Sequence, residues 1–446
     1  MTTIRFKTIL FWGGLLGGVV VAYYPALFTY FSQDDFTHLV MSQAKTFGDI
    51  VNFFRPPTSA IFYRPLSIQL YTFVGQLLFG TNPFGYHVVA LVTHLANVYL
   101  VFRLLGHFVK DKTPRYVAAF IYGIHPVHFM SLFWIAEFSM VLAPFFAFLA
   151  MDAFLDQRFY RFLLFLLLGL LSNELVVAVP LILLLWVLVK RTYKQMPWLI
   201  PAFFLVGGLV WVRFFLVPTS LDTQYVLSIT PLVFLSNLKW QLIRAIGLPE
   251  GFMAYTGSWG MQMALAAILG FWLVWIRSVN LKTLRKYFSL LLFAGGWFGL
   301  ALLPVGFLIQ HQSPIYQIIG LPGFLLGIIL GLKPRLSVLR VYLLAGLFFI
   351  SAFWGIRSQI DYHWVTQRAR SAKYHLQKVF EQQPRPGETV VFINTLPESS
   401  RQVYFALGAG KAIEAFFGKE VAVQFEDFTG VIPPDHSVYI LSRRLE

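Results

Sequence analysis

Ser32-Gln33-Asp34-Asp35-Phe36 sets two carboxylates side by side, just after the first apolar run of a 446-residue chain. Like charges at contact distance raise one another's pKa and compete for solvation, so such a pair persists where water, a cation or a proton donor uses it. Two chemistries suit it. Either one aspartate is a general base whose pKa its neighbour lifts, or the two together hold a divalent cation such as magnesium or manganese. Further on, Tyr63-Arg64-Pro65-Leu66 places a cation at the start of a short apolar segment. A cation at a helix N-terminus opposes the macrodipole unless an anion accompanies it, and a phosphate there would meet both the guanidinium and free amides.

Other residues could join this chemistry. Glu137 follows His125-Pro126-Val127-His128 as a second acid, and Glu174 stands in Ser172-Asn173-Glu174. His87, His94 and Asn97 recur at i, i+7 and i+10 on one face of an apolar run, where they contact substrate or bond a neighbouring helix. His311 and Tyr316 stand at the entry to a later run, and His311 offers a second donor to a phosphate. No HExxH spacing exists, which argues against zinc.

The elements that must position these residues are read from composition. The chain is 57% hydrophobic and only 12% charged, about half the charged fraction of a soluble domain. It is therefore expected to be a polytopic membrane protein. The net charge of +15 does not imply nucleic acid, because 24 Lys and Arg face 10 Asp and Glu before Arg357, against 11 and 10 from there on. The basic excess belongs to the apolar part. Without cysteine, disulfides, thiolate metal sites and cysteine nucleophiles are excluded.

Apolar runs long enough to span a bilayer lie near 8–28, 84–106, 116–134, 138–155, 160–173, 175–190, 197–216, 259–276, 287–309, 314–332 and 337–356. Residues 65–79 are apolar but short, which suits an interfacial helix. Counting them as interfacial gives eleven spans with the N-terminus inside. The inner segments then hold 18 Lys and Arg, as the positive-inside rule requires. This parity puts Asp34, Asp35, Glu137, Glu174 and the loop 29–83 on the outer face. Residues 1–356 form the membrane domain. Residues 357–446 read as a small outer α/β domain, with strands at 388–396, 421–425 and 437–442 and one helix over 399–417. Leu407-Gly408-Ala409-Gly410-Lys411 lies within that helix and lacks P-loop spacing.

The ordered set FSQDDF (31–36), YRPL (63–66), FGTNPFGYHVVALVTHLAN (79–97), HPVH (125–128), SNELVVAVPLILLL (172–185) and QHQSPIYQIIGLPG (310–323) resembles the GT-C integral-membrane glycosyltransferases. The likeness is nearest to protein-O-mannosyltransferase-like and tetratricopeptide-linked mannosyltransferases, and extends to lipid A aminoarabinose transferases. It covers residues 8–330 and implies a GT-C architecture, with interfacial helices in the first outer loop. It also implies a polyprenyl-phosphate sugar donor and an acceptor hydroxyl on a protein, glycan or glycolipid outside a bacterial inner membrane. Asp34 and Asp35 would carry the acidic motif of the first outer loop. Tyr63, Arg64, His87, His94, Glu174, His311 and Tyr316 would line the donor site, with Arg64 on the lipid phosphate.

Several features depart from that pattern. Ser172-Asn173-Glu174 lacks the cation of Ser-Lys-Glu, no arginine precedes Tyr316, the acid after HPVH is displaced to Glu137, and no tetratricopeptide repeats follow. A non-catalytic assembly partner on the same fold and a lipid-linked sugar transporter or flippase are the rival expectations. In either case the C-terminal domain is a candidate surface for a partner subunit.

Overall fold

A computed structural model describes residues 2–57, 62–217, 226–254, 256–309, 311–333, 336–394, 397–427 and 437–442. Helix α1 (Thr2–Tyr23) runs into a 3-10 turn at Tyr24–Phe28. The long loop that follows carries α2 (Asp34–Met41), α3 (Phe47–Asn52) and a π turn at Leu66–Leu70 that continues as α4 (Tyr71–Phe79). The helical body consists of α5 (Pro83–Leu105), α6 (Lys112–Ile124), α7 (Phe129–Phe133), α8 (Ser139–Leu155), α9 (Phe159–Leu170), α10 (Val179–Lys190), α11 (Leu199–Phe215) and α12 (Pro231–Ala245). It is completed by α13 (Trp259–Ser278), α14 (Leu281–Lys286), α15 (Phe288–Ala301), α16 (Leu321–Leu330) and α17 (Val338–Tyr362).

Local chemistry explains where these helices start. The Asn82 side chain accepts from Phe84 N–H at 3.1 Å, and Pro83 follows at the first helical position, so α5 begins there. Asp111 caps α6 in the same way at 3.0 Å, and Ser258 caps α13 at 3.2 Å. Among the described residues, six segments are long and apolar enough to cross a membrane: 83–105, 112–133, 135–155, 193–215, 259–278 and 338–362. Shorter apolar helices lie at 12–28, 66–79, 159–170, 288–301 and 321–330. The chain is thus a multi-pass membrane protein, and each of the eleven predicted segments contains helix, although 116–134 is broken at His125 and 287–309 is helical only over Phe288–Ala301.

Two further segments differ from the sequence reading. The run 314–332 is not one helix but a 3-10 turn at Pro314–Gln317 followed by α16, because Gly320 and Pro322 interrupt it. Helix α17 continues to Tyr362, past the expected boundary at 356, and His363 alone separates it from α18 (Trp364–Gln382).

The C-terminal region adds β1 (Thr389–Asn394), α19 (Pro397–Ala406), α20 (Lys411–Phe417), β2 (Ala422–Asp427) and β3 (Ser437–Ser442). Its three strands are parallel in the order β2-β1-β3. The single helix expected over 399–417 is broken. Gly408, Ala409 and Gly410 all adopt positive φ, so Leu407–Gly410 is a turn rather than helix interior.

The large apolar core runs between the membrane helices, around Trp297, Tyr122, Phe148 and Phe271. A second core joins Phe31, Phe36, Leu39, Tyr86 and Ile135 to Leu376, Val379, Phe392, Ala406, Leu407 and Ile413. The acidic loop and the C-terminal region therefore share one hydrophobic core.

Candidate active site

Asp34 and Asp35 occupy the first turn of α2, where the helix dipole favours negative charge. They face different surroundings. Asp35 is 2% exposed and accepts two backbone N–H bonds, from Ser32 at 2.8 Å and from Ala136 at 2.6 Å. Trp134 Nε1–H donates to the Ser32 carbonyl at 3.2 Å, so the 32–35 turn and the 134–138 turn are bolted together. Burial pushes the Asp35 pKa well up; the two N–H donors pull it down, and the charges of Asp34 and Glu137 push it up. Asp34 is open to solvent. Its pKa is raised by the desolvating crowd of atoms around it, with the Arg368 charge opposing.

Arg64 sits where Leu66–Leu70 makes its π turn, a local irregularity that often marks functional backbone. Its guanidinium forks onto Glu174, with Nε–Oε2 at 2.8 Å and Nη2–Oε1 at 2.5 Å. Nη1 lies 3.4 Å from Ser139 Oγ, which also accepts from Asn173 Nδ2 at 3.1 Å. Two further bonds zip the Tyr63–Leu66 turn to the Ser172–Glu174 turn: Leu66 N–H to the Leu171 carbonyl at 3.2 Å, and Ser67 Oγ to the Ser172 carbonyl at 2.5 Å. Burial raises the Glu174 pKa, but the Arg64 charge and hydrogen bond outweigh it and hold the carboxyl below its usual value.

Glu137 stands among Arg64, Asp34 and Glu174, and its buried Oε2 has no hydrogen-bond partner. Tyr316 lies within the field of Arg64. His38, one turn along α2 from Asp34, is held near pKa 4 by burial and then by the Arg64 charge, so it is neutral at pH 7. Asp34, Asp35, His38, Arg64, Glu137, Glu174 and Tyr316 thus form one electrostatic group, built from the loop 29–82 and the turns before α8, α10 and α16.

No protein-family model matches this chain, and no curated protein matches it. The chain is similar to solved structures. Among them is ArnT from Cupriavidus metallidurans bound to undecaprenyl phosphate, at 14% sequence identity and a TM-score of 0.48, covering 94% of this chain and 89% of that one.

The remaining predicted residues are placed elsewhere or in supporting positions. His87 and His94 are buried between helices rather than in the acidic group. The His87 ring nitrogens face the Leu132 and Thr29 carbonyls at 2.9 and 3.1 Å, and His94 Nε2 meets the Gly123 carbonyl at 2.8 Å. Helix packing is what those nitrogens serve. Tyr63 turns away from Arg64 and donates its hydroxyl to the Phe54 carbonyl at 2.7 Å. His311 packs on Tyr316 with ring centroids 5.6 Å apart and lines a narrow cleft with Asn237, Gln241 and Gln312. Gln310 lies outside the described residues.

The expectation of a divalent cation on Asp34 and Asp35 meets a poor fit. Both Asp35 oxygens are committed to backbone donors, and among the described residues no group of three or more His, Asp or Glu side chains could hold a metal. Sequence reasoning missed His38, Ser139 and Arg368. His38 had a signal, since it lies four residues from Asp34 on one helix face. Arg368, far along the chain, had none.

Proposed function

We propose that this protein is a membrane glycosyltransferase of GT-C type, moving a sugar from a polyprenyl phosphate to an acceptor hydroxyl on the extracytoplasmic face. The observation that carries this reading is the placing of Glu137, with its buried, unpartnered carboxylate oxygen, within the fields of both the solvent-open Asp34 and the buried Arg64, in a chain whose motif order resembles that superfamily. Asp34 takes the proton of the acceptor hydroxyl, worth roughly 10²–10⁴-fold in rate. The acceptor oxygen then bonds the anomeric carbon as the bond from that carbon to the phosphate oxygen breaks. The departing polyprenyl phosphate carries the electron pair, and the Arg64 charge stabilises it, with His311 and Tyr316 beside it. Direct displacement inverts the anomeric configuration. Asp35 holds the turn on which Asp34 stands, and Glu137 reads as a second acid facing the sugar. On the positive-inside reading the N-terminus is cytoplasmic and the C-terminal domain extracytoplasmic.

One observation favours the rival of a non-catalytic partner on the same fold: Glu174 already fills the Arg64 fork that a donor phosphate would use. An assay separates the two. Purified protein in lipid nanodiscs is incubated with a panel of radiolabelled polyprenyl-phosphate sugars, and sugar release to water or to added acceptors is scored. Release by the wild type supports the transferase; absence of release with every donor supports the partner.

A further inference from the structure

The turn that presents Asp34 is not held by the membrane helices alone. Gln33, immediately before α2, adopts φ 51° and ψ −116°, a conformation a glutamine rarely takes. Such an outlier persists only where its surroundings over-determine it. Here the C-terminal region does so. Gln33 N–H donates to the Ala406 carbonyl at 3.0 Å, and Arg368 Nη1 donates to Gln33 Oε1 at 2.6 Å. Arg368 is itself fixed between the Trp364 and Phe405 rings, 4.8 and 5.0 Å from their centroids. The Gln33 carbonyl lies against Gly408 so closely that a Cβ at that position would fall 2.5 Å from its oxygen. Phe36, the third residue of α2, packs on Phe416 of α20 with ring centroids 5.9 Å apart.

This gives the Leu407–Gly410 turn a role that its sequence did not suggest. Gly408 is needed twice: its φ is +59°, and only a hydrogen in place of a side chain lets the Gln33 carbonyl approach. We propose that the C-terminal domain is a positioning element for the acidic turn, with Gly408 and Arg368 locking Gln33 in the conformation that presents Asp34 to the site. Its consequence for turnover rests on the reading of Asp34 as the base; the mechanical clamp does not.

Hydrogen–deuterium exchange and transfer kinetics on the full-length protein test it together. Gly408→Ala should raise amide exchange over residues 33–38 about tenfold or more and lower kcat at least about tenfold, with donor KM within about twofold. Arg368→Ala, which removes the bond to Gln33 without straining the backbone, should move both in the same direction, and Arg368→Lys should recover part of each. Gly418→Ala is the control. It strains the same domain at φ +90° but meets only open space, and should leave exchange over 33–38 and kcat unchanged. Unaltered exchange over 33–38 in both Gly408→Ala and Arg368→Ala overturns the clamp, as does an equal effect of Gly418→Ala. Should exchange rise as expected while Asp34→Asn retains transfer, the clamp stands and the base assignment falls. Should Asp34→Asn be inactive and exchange stay flat, the clamp falls and the base assignment stands.

Discussion

Replacing Asp35 and Asp34 in turn by asparagine separates the acid that holds the turn from the acid that faces solvent. Asp35 accepts backbone N–H bonds of 2.8 and 2.6 Å, one on each carboxylate oxygen, at a position 2% exposed. Asparagine offers a single acceptor oxygen there, so one buried N–H is left facing an NH2 group. Losing a charge-assisted bond costs about 1.5–3 kcal/mol, and a stranded buried donor about 1–3 kcal/mol more. Relief of repulsion from Asp34 and Glu137 offsets part of this, for a net loss of about 2–4 kcal/mol. Asp34→Asn gives up a favourable charge at a helix N-terminus and a screened attraction to Arg368, together about 1 kcal/mol. Thermal unfolding followed by tryptophan fluorescence reads the difference, with Trp134 bonded to the same turn. Asp35→Asn should lower the midpoint and lose transfer. Asp34→Asn should move the midpoint far less and still lose transfer by about 10²–10⁴-fold. Equal destabilisation by both variants, or a fully stable Asp35→Asn, would refute the division of labour.

Three further outcomes follow from the same geometry. A double-mutant cycle of Arg64→Gln and Glu174→Gln should give a coupling of about 1–2 kcal/mol in unfolding, no larger because Glu174 keeps 38% of its side chain exposed and solvent screens the pair; Arg64→Lys should not restore donor binding, since the planar fork is lost. Glu137→Gln should lower transfer while changing stability by less than about 1 kcal/mol, because its Oε2 makes no hydrogen bond to lose. In pH profiles, kcat/KM should fall on the acidic side as Asp34 protonates, at a pH above the usual aspartate value, with Asp35 and Glu137 facing it; Arg368→Gln removes the charge that favours ionised Asp34 and should move that limb to higher pH.

Much of this architecture was legible because apolar run length and the placement of cations are strong signals. Each predicted span contains helix, and Glu137 and Glu174, singled out from separate turns, both lie in the field of Arg64. One reading failed for a definable reason. The break of the C-terminal helix at Gly408–Gly410 depends on backbone angles selected by contact with Gln33, which local propensity does not encode. His87 and His94 are polar in an apolar helix whether they bind a substrate or a neighbouring carbonyl, so spacing alone could not separate these roles. The sequence also treated Asp34 and Asp35 as equivalent. Only the approach of Ala136, from a distant turn, makes one of them structural.

The central claim, direct displacement by an acceptor that Asp34 activates, is tested most directly by the stereochemistry of the product. With a donor that the nanodisc assay identifies, proton NMR of the transferred sugar should show an anomeric configuration opposite to that of the donor, and no product should form with Asp34→Asn. Retention of the donor configuration, or undiminished product from Asp34→Asn, would contradict the account.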